Sequence, residues 1–203
     1  MAKRFFETFP ALILEDELKD LFEFAEVTAL KYNRDRTAIH VYLLCRRLIS
    51  KPQIYAVESK IEKQMFPDGD MKIRIFESFS LSEQYTPSYL VDVYKDSLFA
   101  EIKRRSDLDY HILMRADWKV ADDDSLLLTL EDSLWARNRA GELREWIQMV
   151  FYDRCAISIP VAVSFKERDT TAIEEEKKRA EAQAIARIMK ANSVASKEKE
   201  DEF

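Results

Sequence analysis

The chain has 203 residues, 47% of them hydrophobic and 34% charged, with a formal net charge of −6. Two glycines are too few for a glycine-rich phosphate loop, so neither a dinucleotide fingerprint nor a P-loop can be built. No apolar run reaches the length of a membrane span, and MAKRFFETFP lacks the apolar core of a signal peptide. Cys45 and Cys155 have no Cys or His at ligand spacing, which predicts buried, reduced thiols and a cytoplasmic protein.

Arg4 to Pro10 carries three phenylalanines ahead of the first helix, and packing on the first unit's own sheet is the expected sink for Phe5 and Phe9. Helical spacing of Leu18, Leu21, Phe22 and Ala25 predicts a helix from Asp16 to Ala25. A strand follows over Val27–Tyr32, then turn chemistry at Asn33–Arg36. Thr37–Leu44 alternates, with Ile39, Val41 and Leu43 on one face, and reads as the return strand of a hairpin. Pro52 opens a helix with the stripe Ile54, Val57, Ile61 and Met65, on which Lys51 and Lys60 read as surface charges. Pro67–Asp70 breaks it before a third strand over Met71–Phe76.

The second half repeats the order helix, strand, strand, helix, strand. Thr86-Pro87 starts a helix with Leu90, Val93, Tyr94 and Leu98 on one side. Ala116–Val120 and Ser125–Leu130 form a hairpin around Asp122, Asp123 and Asp124, a run better explained as a turn than as a metal site. Leu143, Trp146, Ile147 and Val150 mark the next helix, and Ile157–Phe165 the last strand, with Pro160 arguing for a sheet edge. The fold class is α+β: two small αββ(α)αβ domains over residues 1–80 and 81–167. A charged, alanine-rich helical linker is expected over 168–203, and a chain stopping there suggests a fragment of something longer.

RFFETFPALILEDELKDLFEFAEV, KPQIYAVESKIEKQMFP and LSEQYTPSYL together resemble the N-terminal region of the PolC-type DNA polymerase III alpha subunit. That is the replicative polymerase family of low-GC Gram-positive bacteria. The resemblance covers roughly residues 4 to 167 and implies that the catalytic modules lie elsewhere in the parent enzyme. The second unit is then similar to the polymerase-binding C-terminal domain of the clamp-loader tau subunit, a degenerate type II KH fold.

In a type II KH domain a GXXG loop between two central helices clamps nucleic acid. SLWARNRAGELREW (Ser133 to Trp146) occupies that place, but Gly141 is single, with Asn138 where the other glycine would stand. Trp146 falls on the apolar stripe and is expected in the core. Trp135 could pack or meet a partner, with packing favoured. The candidate interaction surface is Arg46, Arg47, Trp135, Arg137, Arg139 and Arg144. No catalytic residue, metal or cofactor is indicated, and His40 and His111 have no ligand partner in sequence. The expected function is a non-catalytic protein-interaction region for replisome assembly. Its partner would be the clamp-loader tau subunit or the rest of the polymerase, by analogy. The alternative is auxiliary binding of single-stranded nucleic acid by the arginine-rich strand-to-helix connections.

Overall fold

The computed structural model describes residues 2–167; the expected linker over 168–203 lies outside them. The first half begins with a two-residue strand β1 (Lys3–Arg4) and a single turn α1 (Phe5–Thr8), followed by helix α2 (Asp16–Phe22). Strands β2 (Glu26–Tyr32) and β3 (Ala38–Cys45), helix α3 (Lys51–Met65) and strand β4 (Lys72–Phe79) complete it. The sheet order is β1-β2-β3-β4, antiparallel except for the parallel pair β3/β4. Parallel neighbours need a crossover, and α3 supplies it. Ile39 and Ile73 are register partners across β3/β4.

The hairpin turn is set by Asn33, whose Oδ1 accepts from the N–H groups of Thr37 (2.8 Å) and Ala38 (2.9 Å). Gln53 Oε1 accepts from the Ser50 N–H (3.0 Å), half of a capping box, and Pro52 sits in the first turn of α3 where its missing N–H costs nothing. Phe5 is fully buried and Phe9 is buried, with Phe5 packed 4.9 Å from the Phe22 ring and 5.1 Å from Phe9. The N-terminal phenylalanines therefore find their sink within the chain.

The second half comprises α4 (Pro87–Arg105), α5 (Asp107–Met114), β5 (Asp117–Val120), β6 (Leu126–Glu131), α6 (Leu134–Cys155) and β7 (Val161–Lys166). Its sheet order is β5-β6-β7, antiparallel then parallel, with α6 as the crossover. Helix starts are capped by side chains: Thr86 accepts from Tyr89 N–H (3.3 Å), Ser106 from Asp109 (3.2 Å) and Ser133 from Ala136 (3.0 Å). The Asp122–Asp124 run is a turn: Asp124 has φ 61°, and Asp123 Oδ1 accepts from the Ser125 N–H (3.1 Å) and hydroxyl (2.6 Å). β7 starts later than alternation suggests, because Pro160 lies before it rather than within it. The Pro160 carbonyl still accepts from Leu126 N–H (2.8 Å), and β7 is an edge strand.

The chain is mixed α and β, with two small sheets and six helices. Met1–Lys166 clusters as one compact unit, and the buried side chains of both halves belong to one core. Cys45 and Cys155 are buried and unpaired, and burial pushes their thiols up to about 12 and about 11. No helix among the described residues is long and apolar enough to cross a membrane.

Candidate interaction surfaces

SLWARNRAGELREW is not a connection between strand and helix. It is the first two-thirds of α6, which runs unbroken from Leu134, so Arg137, Arg139 and Arg144 are helix-surface residues. The KH comparison implies two helices joined by a loop here; one 22-residue helix takes their place. Gly141 has helical backbone, and a Cβ built on it would meet nothing within 4 Å. Neither space nor backbone angle demands glycine there.

Each arginine of the stretch faces a carboxylate. Arg137 binds Asp132 through two nitrogens, both at 2.6 Å, and its guanidinium lies 5.0 Å from the centre of the Phe165 ring. Arg139 makes a second two-pronged pair, 2.8 Å to each oxygen of the buried Asp109, and also bonds Glu142. The hydrogen bonds from Arg139 hold the Asp109 carboxyl below its ordinary value. Arg144 reaches Glu145 at 3.6 Å. Trp146 is core, as its stripe position predicts. Trp135 is not packed: it is 62% exposed, beside an exposed Leu134 on the same first turn.

Arg46 and Arg47 follow β3, at the rim of a cleft of about 390 Å³ that Arg4, Leu21, Phe24 and Glu26 help to line. Arg46 stands 4.0 Å from Glu26, and Arg47 lies 5.9 Å from the centre of the Phe24 ring. No hydrogen bond or ion pair among the described residues joins these two arginines to those of α6. The six residues thus fall into two groups, one after β3 and one on α6.

A third constellation went unread in the sequence. Lys51 is no surface charge; it is 6% exposed, and its Nζ donates to Glu77 Oε2 at 2.8 Å. Glu77 Oε1 accepts from the Tyr94 hydroxyl (3.0 Å) and faces Arg154 Nε at 3.3 Å. Arg154 in turn binds Glu101 at 2.6 and 2.8 Å. Lys51 and Glu77 come from the first half, Tyr94, Glu101 and Arg154 from the second, so this buried cluster fastens one half to the other. A signal existed: alternation puts Glu77 in register with Ile73, Ile75 and Phe79 on the core face of β4. A carboxylate at an apolar position demands a buried cation. Lys60, by contrast, is the surface charge expected of it, bonded to Glu15.

His40 and His111 gain no ligand set; His40 packs 5.1 Å from Phe76 and His111 5.3 Å from Tyr110. Among the described residues no three His, Cys, Asp or Glu side chains gather as metal ligands.

Comparison with known families matches residues 4–75 to the family described as DNA polymerase III polC-type N-terminus I. This stretch runs from Arg4 in β1 through the first half of β4. No curated protein matches the chain. The resemblance read from RFFETFP onward is therefore shown for the first half, and it ties the chain to DNA replication.

Proposed function

We propose that this chain is a non-catalytic protein-interaction region of a polC-type replicative DNA polymerase, and that the start of α6 is its docking surface. The observation that carries the reading is the exposed Trp135 set among arginines whose charge is already matched by Asp132, Asp109 and Glu145. An arginine already bound to a carboxylate gains little from a phosphate, because the internal pair must first be broken. An exposed tryptophan flanked by exposed Leu134 and neutralised arginines has the composition of a protein hot spot.

The order of α4 through β7, with an antiparallel hairpin and a parallel strand after a helix, supports likeness to a degenerate KH domain and so to the clamp-loader tau C-terminal domain. By that analogy the partner is a replisome protein, either the tau subunit or the remainder of the polymerase. Such a likeness is one of fold, and the exposed Trp135 and Leu134 support a protein partner without naming it. The competing reading, single-stranded nucleic acid on these arginines, requires Arg137 and Arg139 to exchange carboxylates for phosphates.

Titration calorimetry of the 203-residue chain against the tau subunit, and separately against the remaining polymerase, tests the proposal. Saturable binding to one of them, weakened about thirtyfold or more by Trp135→Ala, is the expected result. Binding to neither, or binding indifferent to Trp135→Ala, would remove α6 as the docking surface.

A further inference from the structure

The outer face of the four-stranded sheet carries two neighbouring rows of side chains. Register aligns Lys31, His40 and Arg74 in one row and Ala29, Tyr42 and Phe76 in the next. Tyr42 and Phe76 are stacked, with centroids 5.2 Å apart and planes at 19°, while His40 meets Phe76 edge-on at 5.1 Å. Lys31 Nζ sits 5.0 Å from the centre of the Tyr42 ring. Phe76 remains 46% exposed, unusual for a large apolar ring in mid-strand. Asp153 and Arg154, near the end of α6, border this row at one side.

Phe76 also borders two clefts at the edge strand β4. One, of about 310 Å³, continues across the sheet face past Tyr42, Thr28 and Ser78. The other, of about 340 Å³, is walled by Arg74 together with Arg104 and Arg105 from α4. Of the nearby carboxylates, the Glu77 and Glu58 side chains are almost wholly buried, Glu62 and Glu101 are partly buried, and Asp153 at the edge of the first cleft is exposed. The guanidiniums reach water, with the Arg74 side chain 52% and the Arg104 side chain 54% exposed. Their nearest carboxylate contacts are long, 3.8 Å from Arg74 and 3.7 Å from Arg104 to Glu58, and Glu62 is 3.9 Å from Arg74. Burial raises the Glu58 carboxyl above its ordinary value. Arg105 has no ion-pair partner among the described residues. Arg104 is kept flat by Tyr55, its guanidinium carbon 3.4 Å from the ring centre.

We infer that this trough binds single-stranded nucleic acid, with phosphates at Arg74, Arg104 and Arg105 and bases laid on Phe76 and Tyr42. A strip of π-faces beside a row of partly unneutralised arginines matches the two parts of a nucleotide, and an open sheet face leaves room for successive unpaired bases. A duplex presents no free base faces and is accepted less well. The site is distinct from the arginines of α6, which are bound internally, and it does not depend on the protein-docking role of Trp135. The chain's net charge of −6 opposes approach at long range, so affinity is modest and falls with salt.

The test is fluorescence anisotropy of labelled oligothymidylate of about 15 nucleotides with the 203-residue chain, titrated at several salt concentrations from about 0.02 to 0.2 M. Three phosphate contacts predict a slope of log affinity against log salt of about −2, from a low-salt Kd of about 1–100 µM. Arg104→Gln with Arg105→Gln should weaken low-salt binding about tenfold and flatten the slope. Phe76→Ala should weaken it about fivefold or more and leave the slope unchanged. Each variant's thermal midpoint is measured first; if the double variant is unfolded, Arg105→Gln alone, at an exposed and unpaired position, carries the same slope test. The proposal is overturned by the absence of saturable binding at low salt. It is overturned equally if binding is lost with Arg46→Gln and Arg47→Gln but kept with the Arg104 and Arg105 changes. Duplex binding as tight as single-strand binding would contradict base stacking, and oligoglutamate binding insensitive to Phe76→Ala would assign the trough to an acidic protein segment instead.

Discussion

Glu77→Gln is the sharpest perturbation of the fold, because Glu77 is the one acceptor shared by three donors in the buried cluster. Its side chain is fully buried and takes Lys51 at 2.8 Å, Tyr94 at 3.0 Å and Arg154 at 3.3 Å. The amide keeps one acceptor oxygen but no charge. Lys51 is then left with Glu101 at 3.9 Å, too far for a hydrogen bond, while Arg154 keeps its 2.6 Å contact to the same carboxylate. Breaking a buried pair from one side costs about 3–5 kcal/mol, and the retained oxygen and Glu101 put this case near the lower figure. For a domain of this size that lowers the thermal midpoint by about 6–12 °C. Asp132→Asn, which breaks an exposed, solvent-screened pair with Arg137, should shift the midpoint far less. Adding Lys51→Met to Glu77→Gln should cost less than the sum of the two, since the second change removes the stranded cation. Circular dichroism melts of the four variants read all of this. A Glu77→Gln shift no larger than that of Asp132→Asn would refute the view that the cluster holds the halves together.

Phe5→Ala should destabilise by about 3–5 kcal/mol by emptying the contacts with Phe9 and Phe22, and deletion of residues 1–10 should also lower the midpoint; an unchanged midpoint in either would make the N-terminal segment dispensable. Asp109→Asn should cost about 1–2 kcal/mol near neutral pH, measured by urea unfolding. The Asp109 carboxyl is held below its ordinary 3.8 by the Arg139 hydrogen bonds, so its contribution is present above that value and fades as pH falls through the lower, folded one. The gap between wild type and Asp109→Asn should therefore close in acid, and a gap that persists there would contradict the charge pair. Cys45 and Cys155, with thiols raised to about 12 and about 11, should resist thiol reagents at pH 8 until the chain is unfolded; rapid stoichiometric labelling of the native protein would contradict their burial.

The parts of the fold legible in the sequence are those with an apolar period. Alternation in Thr37–Leu44 and the stripe of Ile54, Val57 and Ile61 lead to β3 and α3, and the repeated order leads to two hairpins each closed by a parallel strand. Elements without a period were missed. β1 and α1 are too short to show one, and α5 was overlooked although Ser106, Asp107 and Asp109 spell a capped helix start. The first two turns of α6 face the core only through Ala136 and Ala140, too small to show a stripe.

The candidate site was legible only in part. Trp135 and the α6 arginines do lie at the surface, and Asp132, Glu142 and Glu145 are near them in sequence, but Asp109, the buried partner of Arg139, is remote and no pattern announces it. Phe76 and Tyr42 sat in plain strands, yet their stacking depends on the β3/β4 register, which only the folded pairing reveals.

The three tryptophans provide the most direct test of the docking role. Trp146 is buried, Trp118 is half-buried with its indole N–H bonded to the Leu113 carbonyl (3.2 Å), and Trp135 stands free. Their indole N–H signals can be followed by nitrogen-15 NMR as unlabelled tau subunit, or the remaining polymerase, is added to the labelled chain. Docking through α6 predicts that the Trp135 signal shifts or broadens first and most strongly, while Trp146 stays in place. A partner that binds without moving the Trp135 signal, or a chain that leaves all three unmoved with both proteins, would contradict it.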